Sequence, residues 1–190
     1  SGVRDIAWVP GADRTVNALA LVSGAIYAAG EFTTIRGESH RRLARIPTGG
    51  DGHADASFNP VLDDSGYALA ISSDLSRIEV GGGFARVRTA QYLATATLST
   101  ADGSVVAAAH DAEVPGWVNR IAAQPNGGVI VGGDFAKVDQ QRHEHLFRLK
   151  PDRTLDTAWR ADVTGSQINA LLTGPDSAVY VAGPLSAIND

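Results

Sequence analysis

Three markers recur along the chain at a step close to fifty residues, and this spacing limits the fold more than any other feature. The first is Ala29-Gly30-Glu31-Phe32, Gly82-Gly83-Phe84, Gly132-Gly133-Asp134-Phe135 and a degenerate Ala182-Gly183-Pro184-Leu185. From Phe32 through Phe84 and Phe135 to Leu185 the steps are 52, 51 and 50 residues. The second marker, Asn17, Tyr67, Asn119 and Asn169, each followed by a short apolar run, steps by 50, 52 and 50. Trp8, Phe58, His110 and Trp159 step by 50, 52 and 49. A chain with such a beat builds one supersecondary unit repeatedly and packs neighbouring units into a continuous core.

Within a unit the periodicity is that of strands. Val16 to Leu21 is apolar almost throughout, which predicts a strand buried on both faces. Ser23-Gly24 is a hairpin turn signal before a second strand, Ala25 to Ala29. Asp74-Leu75-Ser76, Pro125-Asn126-Gly127-Gly128 and Pro175-Asp176-Ser177 are the matching turns. Leu43 to Ile46, Leu93 to Leu98 and Leu146 to Leu149 read as third strands, and Ala56-Ser57-Phe58 as the place of a fourth. Four short antiparallel strands per unit is the pattern of a β-propeller blade. The prediction is an all-β propeller of about four such units, near 16–58, 66–110, 118–159 and 168–190 within a single domain, 1–190, with 1–15 supplying a closing strand.

The recurring glycines need a backbone reason, either positive φ or the close approach of another chain. Gly30, Gly83 and Gly133 are taken as structural repeat positions, with Phe32, Phe84 and Phe135 packing between adjacent blades. The pattern Gly-Gly-x-Phe, Gly, Arg-Leu-x-Arg-Leu, Asp-Gly, Leu-Asp-x-x-Phe resembles the delta-60 repeat (DUF5122-type) family of bacterial β-propeller repeats. The first unit reads Gly30-Glu31-Phe32, Gly37, Arg42-Leu43-Ala44-Arg45-Ile46, Asp51-Gly52 and Asp55-Ala56-Ser57-Phe58. The third unit reads Gly132-Gly133-Asp134-Phe135, His145-Leu146-Phe147-Arg148-Leu149 and Leu155-Asp156-Thr157-Ala158-Trp159. In the second, Thr95 stands where Arg is expected, two residues are missing before it, and His110 replaces the aromatic residue. The resemblance implies the architecture and a secreted or cell-surface bacterial setting, with no assigned activity.

Composition narrows the partners. Asp and Glu exceed Lys and Arg by five, whereas nucleic-acid binders carry a basic stripe, so no nucleic acid is expected. The absence of cysteine removes disulfides and thiolate metal sites. The longest uncharged stretch, Thr15 to Gly30, is too short and polar for a membrane span. Methionine is absent even at position 1, which predicts a processed product or excised segment. The chain opens near Asp5-Ile6-Ala7-Trp8 on the last strand of a unit and closes soon after Leu185, before a third strand. Either it is part of a longer propeller, or copies assemble edge to edge to close the ring.

Four groups are candidate sites. Asn17, Tyr67, Asn119 and Asn169 would form a polar ring if first strands line the axial channel, or else hydrogen-bond the neighbouring blade's backbone. Arg36, His40, Arg41, Arg42 and Arg45 form the one basic concentration, and Arg41 and Arg42 are candidates for an anionic glycan surface. Trp117 and Tyr92 are candidates for stacking on sugar faces, since Trp8 and Trp159 hold repeat-equivalent core positions. His143-Glu144-His145, with Asp139 or His40, could ligate a metal only if both imidazoles share a strand face; ordinary polar surface is the reading adopted. Acids at Asp63-Asp64 and at Asp111 with Glu113 read as turn formers, and no nucleophile elbow, phosphate loop or His-Glu-x-x-His motif occurs. No catalytic residue, metal or cofactor is assigned. The functional expectation is a non-catalytic binding scaffold for protein or carbohydrate; the alternatives are a lectin-like glycan-binding domain and a polysaccharide-acting enzyme.

Overall fold

The structure, a computed structural model, describes residues 6–92, 94–106 and 114–189. His110, Asp111 and Glu113 lie outside the described residues. No α-helix occurs among the described residues, and every named element is a strand. The chain forms successive antiparallel sheets. The first holds Val16–Val22, Ala25–Gly30 and Leu43–Pro47, the second Gly66–Ile71, Arg77–Gly82 and Thr95–Ser99, and the third Gly116–Ala123, Val129–Phe135 and Leu146–Leu149. In each, the second strand lies between the other two. A fourth unit contains the hairpin Ala170–Thr173 with Val179–Ala182, and Asp162–Gly165 paired with Leu185–Asn189. The first strand of each sheet packs against the first strand of the next, as blades do around an axis.

Register repeats with the sequence. Leu19 pairs with Ala28, Leu69 with Val80 and Ile121 with Val131. The turns take the form expected: Ser23 and Gly24 both have positive φ, as a tight two-residue hairpin requires, and Asp74 accepts hydrogen bonds from Ser72 and Ser76 across its turn.

Among the described residues the sheets have three strands, and the expected fourth is reduced to one hydrogen bond in the first unit and to an isolated bridge in the second and third, Leu98 with Val105 and Leu149 with Leu155. Asp55 N donates to Arg45 O at 2.8 Å, Val106 N to Thr97 O at 3.0 Å and Asp156 N to Arg148 O at 2.9 Å. The Asp55 carboxylate then accepts from Ser57 N and Oγ, at 2.8 and 2.6 Å, closing a turn that ends the strand. A small hairpin not expected from the sequence separates second and third strands: Thr34–Ile35 with Glu38–Ser39, Arg86–Val87 with Ala90–Gln91, and Lys137–Val138 with Gln141–Arg142. The incoming chain seals this hairpin, Ala12 bridging Ile35 and Leu62 bridging Val87. Asp13 accepts from Thr33 and Thr34, and Asp63 from Ala85 and Arg86, so these carboxylates cap backbone.

The first strand is not buried on both faces. Leu19 and Leu21 project into solvent, because blade one has no blade on that side within the structure. Phe32, Phe84 and Phe135 are buried in matching surroundings. Each carbonyl accepts from a residue with left-handed φ just before the third strand, respectively Arg42, Ala94 and His145. These positions step by 52 and 51 residues, so the second unit has no deletion there. Thr97, not Thr95, is the counterpart of Arg45 and Arg148.

Candidate functional site

At the end of the blades where each second strand stops, the first strand carries a bulge. The register shifts between Val16 and Ala18, between Gly66 and Ala68, and between Val118 and Arg120. The skipped residues are Asn17, Tyr67 and Asn119, so the polar ring positions are the unpaired residues of equivalent bulges. Asn17 Nδ2 donates to Gly66 O in the next blade at 3.0 Å. Between the third and fourth units the inter-blade bond comes instead from Arg120 Nε to Asn169 O, at 2.6 Å. Asn17 thus ties blade to blade through backbone; Asn119 is half-buried, and Asn169 is exposed, its backbone N–H donating to Ala182 O.

The bulge also explains the glycines. A Cβ on Gly30, Gly82 or Gly133 would overlap the carbonyl oxygen of Thr15, Ser65 or Trp117, and none of the three has positive φ. Close backbone approach is therefore the reason for glycine here. Gly82, not Gly83, is the equivalent of Gly30 and Gly133, since it pairs with Gly66 as they pair with Val16 and Val118.

Gly83 has a different part. Its counterparts in the adjacent units are Glu31 and Asp134. Where their side chains would begin, Trp117 Cδ1 and Nε1 lie 3.4 and 3.5 Å away and Tyr67 Cε2 lies 3.6 Å away. Two aromatic rings from adjacent blades thus flank a bare backbone floor. Trp117 is 58 % exposed, and Tyr67 is half-buried. Neither the Trp117 indole N–H nor the Tyr67 hydroxyl has a hydrogen-bond partner among the described residues. Asp134, opposite Trp117 across the sheet, is exposed and likewise unpaired. An apolar face beside two free donors and a carboxylate acceptor suits a ligand with hydroxyls on one edge and C–H groups on its face.

The other expected contacts are distributed differently. Tyr92 is half-buried against the core between blades one and two, at the repeat position of the buried His40 and His143. It does not join Trp117. Arg42 has left-handed φ, and its guanidinium donates to Glu31 O. Arg36 pairs with Asp51, and Arg45 with Asp55 at 2.5 Å, beneath a cation–π contact with Phe58. The Ser57 hydroxyl and Arg45 hold the Asp55 carboxyl down at about 2. Arg41 alone of the cluster is exposed with no side-chain partner among the described residues. His145 takes left-handed φ and sets Nδ1 3.0 Å from Gly133 O, which breaks the extended alternation a His143/His145 metal site needs. No cluster of three metal-ligating side chains occurs among the described residues. Asp64 accepts from Ser65.

At the opposite axial end, the turns of the second, third and fourth units surround a cavity of about 370 Å³, lined by Ile71, Ser73, Ala123, Gln124, Thr173 and Pro175 among others. It has no aromatic ring and no charged group. A buried ion pair escaped the sequence reading altogether. Arg153 Nη2 meets Glu79 Oε1 at 2.5 Å between blades two and three, with side chains only 2 % and 5 % exposed. Glu79 Oε2 accepts from Thr97 at 2.7 Å, and Arg153 Nη1 donates to Gly127 O at 2.9 Å. Burial pushes the Glu79 carboxyl up, against the pull of Arg153. The sequence signal was Glu79 at the repeat position of Tyr27 and Ile130 within an apolar strand.

Repeated small sheets with their first strands side by side, and ligand-accessible residues at the blade ends, define a β-propeller repeat protein. Residues 23–58 and 124–158 match the model of the DUF5122 beta-propeller family, a domain of unknown function, as the motifs implied. The matched segments are those that carry the Arg45–Asp55 and Arg148–Asp156 pairs. Among solved structures, the WD40 domain of Neurospora crassa Pan2 matches with a TM-score of 0.55 and 12 % identity over 88 % of this chain. The chain covers 46 % of that domain, less than half its length. No curated protein sequence matches it. No helix among the described residues is long and apolar enough to cross a membrane.

Proposed function

We propose that this propeller chain is a recognition scaffold, not an enzyme, and that its ligand is a carbohydrate bound on the Trp117–Gly83–Tyr67 platform. The observation that carries this reading is an exposed indole with a free N–H, set over a glycine where neighbouring units place acids. Sugar rings stack on such a face, and their hydroxyls can reach Trp117 Nε1, Tyr67 OH and the Asp134 carboxylate. Asp13, Asp55 and Asp63 are engaged in capping or pairing, which favours recognition over glycoside cleavage. Export to a bacterial surface belongs to this proposal, because it rests on the family resemblance. A protein ligand at the same platform is the competing reading.

A glycan array with the intact chain tests it. Binding to defined glycans is expected, and Trp117→Ala should weaken it at least roughly tenfold, the loss of one stacking contact with its burial. Gly83→Glu should block binding while leaving stability nearly unchanged, since Glu31 occupies the same place in blade one. An array without a hit, or binding indifferent to Trp117, overturns the reading. Release of reducing sugars would establish the enzyme instead.

A further inference from the structure

The junction of blades two and three departs from the repeat at three positions together, and the departure has a charge as well as a shape. A carbon at the Cβ position of Gly83 would lie 3.5 Å from Trp117 Nε1 and 3.6 Å from Tyr67 Cε2, so both rings reach the same point. At the junction before, the same three positions hold Asn17, Glu31 and Ser65; at the junction after, Asn119, Asp134 and Gln167. Only between blades two and three do two rings meet over an empty floor.

Carboxylates border this slot. Asp134 is the cross-strand partner of Trp117, so the two side chains leave one face of the sheet from neighbouring positions. Asp64 precedes Ser65, whose carbonyl accepts from Gly83 N at 3.0 Å. Its Oδ1 accepts from Ser65 N at 2.7 Å, while Oδ2 has no partner among the described residues. The basic side chains of these blade ends are turned to other groups. Arg120 donates to Asn119 O and Asn169 O, and Arg42 to Glu31 O. Arg86, three residues beyond Gly83, belongs to the small hairpin with Ala90–Gln91. Two π faces beside open carboxylate oxygens attract a cation and repel an anion.

We propose that the platform selects a glycan bearing a protonated primary amine, a glucosamine-type sugar whose ammonium lies against the two rings and donates to Asp134. This inference rests on the carbohydrate reading above and narrows it. The Trp117 N–H and the Tyr67 hydroxyl require acceptors beside the cation. An amino sugar carries hydroxyl oxygens next to its amine, whereas a lysine stem carries none.

Titration calorimetry on the intact chain tests it with the trisaccharides of glucosamine, N-acetylglucosamine and glucose. The assay is run at about pH 5.5, below the range of about 7.7–8.0 in which an α-amino group gives up its proton. The glucosamine trimer should bind at least roughly tenfold more tightly than the other two. The double change Asp64→Asn, Asp134→Asn should remove that preference with the circular dichroism unaltered, and Trp117→Ala should weaken all three. Equal affinity for the three trimers, or binding of other glycans only, overturns this inference and leaves the carbohydrate reading standing. An amine preference that survives Trp117→Ala or the double change also overturns it, being then attraction to the chain's net charge of -5. Binding of a lysine-rich peptide in place of every glycan, or of nothing at all, defeats both readings.

Discussion

Arg153→Met should be the most damaging exposed-to-assay change outside the aromatic core. Arg153 and Glu79 touch at 2.5 Å with almost no solvent access, so removing the guanidinium strands a carboxylate in the blade interface. Thr97 remains as a donor to Glu79, while the carbonyl of Gly127 loses its charged partner. Breaking one side of a buried pair costs about 3–5 kcal/mol. The double variant Glu79→Ile, Arg153→Met places at 79 the residue found at the equivalent Ile130 and should recover to within about 1 kcal/mol of the parent, or exceed it. Urea unfolding followed by circular dichroism reads both. The loss in Arg153→Met should be largest at neutral pH. Burial already pushes Glu79 up, and without Arg153 the folded chain holds that proton more tightly than the unfolded one. Relative to the parent, the variant therefore regains stability as pH falls toward the carboxylate range. An Arg153→Met protein within 0.5 kcal/mol of the parent, roughly the neutral range for surface changes, would refute the reasoning.

Three further outcomes follow from the same geometry. Phe84→Ala should lower unfolding stability by about 3–5 kcal/mol, the cost of a lost core ring, and an unchanged urea midpoint would place that ring outside the core. Gly82→Ala forces a Cβ onto the Ser65 carbonyl and should cost on the order of 3 kcal/mol, whereas Gly37→Ala, with open space around it, should lose only the strain of its positive φ, about 1 kcal/mol; equal losses in thermal melts would contradict this. Stability should decline in two stages on acidification. Burial lowers the His40 value below its usual 6.5, so unfolding takes up a proton and erodes stability below that pH. Asp13 and Asp55 are held at about 2 by the Thr33 and Ser57 hydroxyls, so a second loss runs from about pH 4 to 2; flat stability between pH 7 and 3 would exclude both.

Much of the architecture was legible because the markers are tied to backbone events. The bulges at Asn17, Tyr67 and Asn119, the glycines they press against and the phenylalanines that follow all keep one beat. Turn chemistry at Ser23-Gly24 and Asp74 was equally readable. What escaped depends on contacts between units. Two-residue strands such as Thr34–Ile35 carry no periodicity, and the Asp55 turn that ends the fourth strand looks like ordinary strand-end sequence. The second unit misled through Thr95, because its true counterpart of Arg45 is Thr97, with the missing charge returned across the interface by Arg153. Trp117 was visible as an exposed aromatic residue, but its neighbour is Tyr67, brought to it by the packing of adjacent first strands, and not Tyr92.

Successive blades share one register. Cross-strand Hα contacts measured by NMR on isotope-labelled protein test it most directly. Leu19 with Ala28, Leu69 with Val80 and Ile121 with Val131 should show the same pattern of proximity, with Asn17, Tyr67 and Asn119 each skipped by the partner strand. A slip of one residue in any of the three sheets, or helical contacts across these segments, would contradict it.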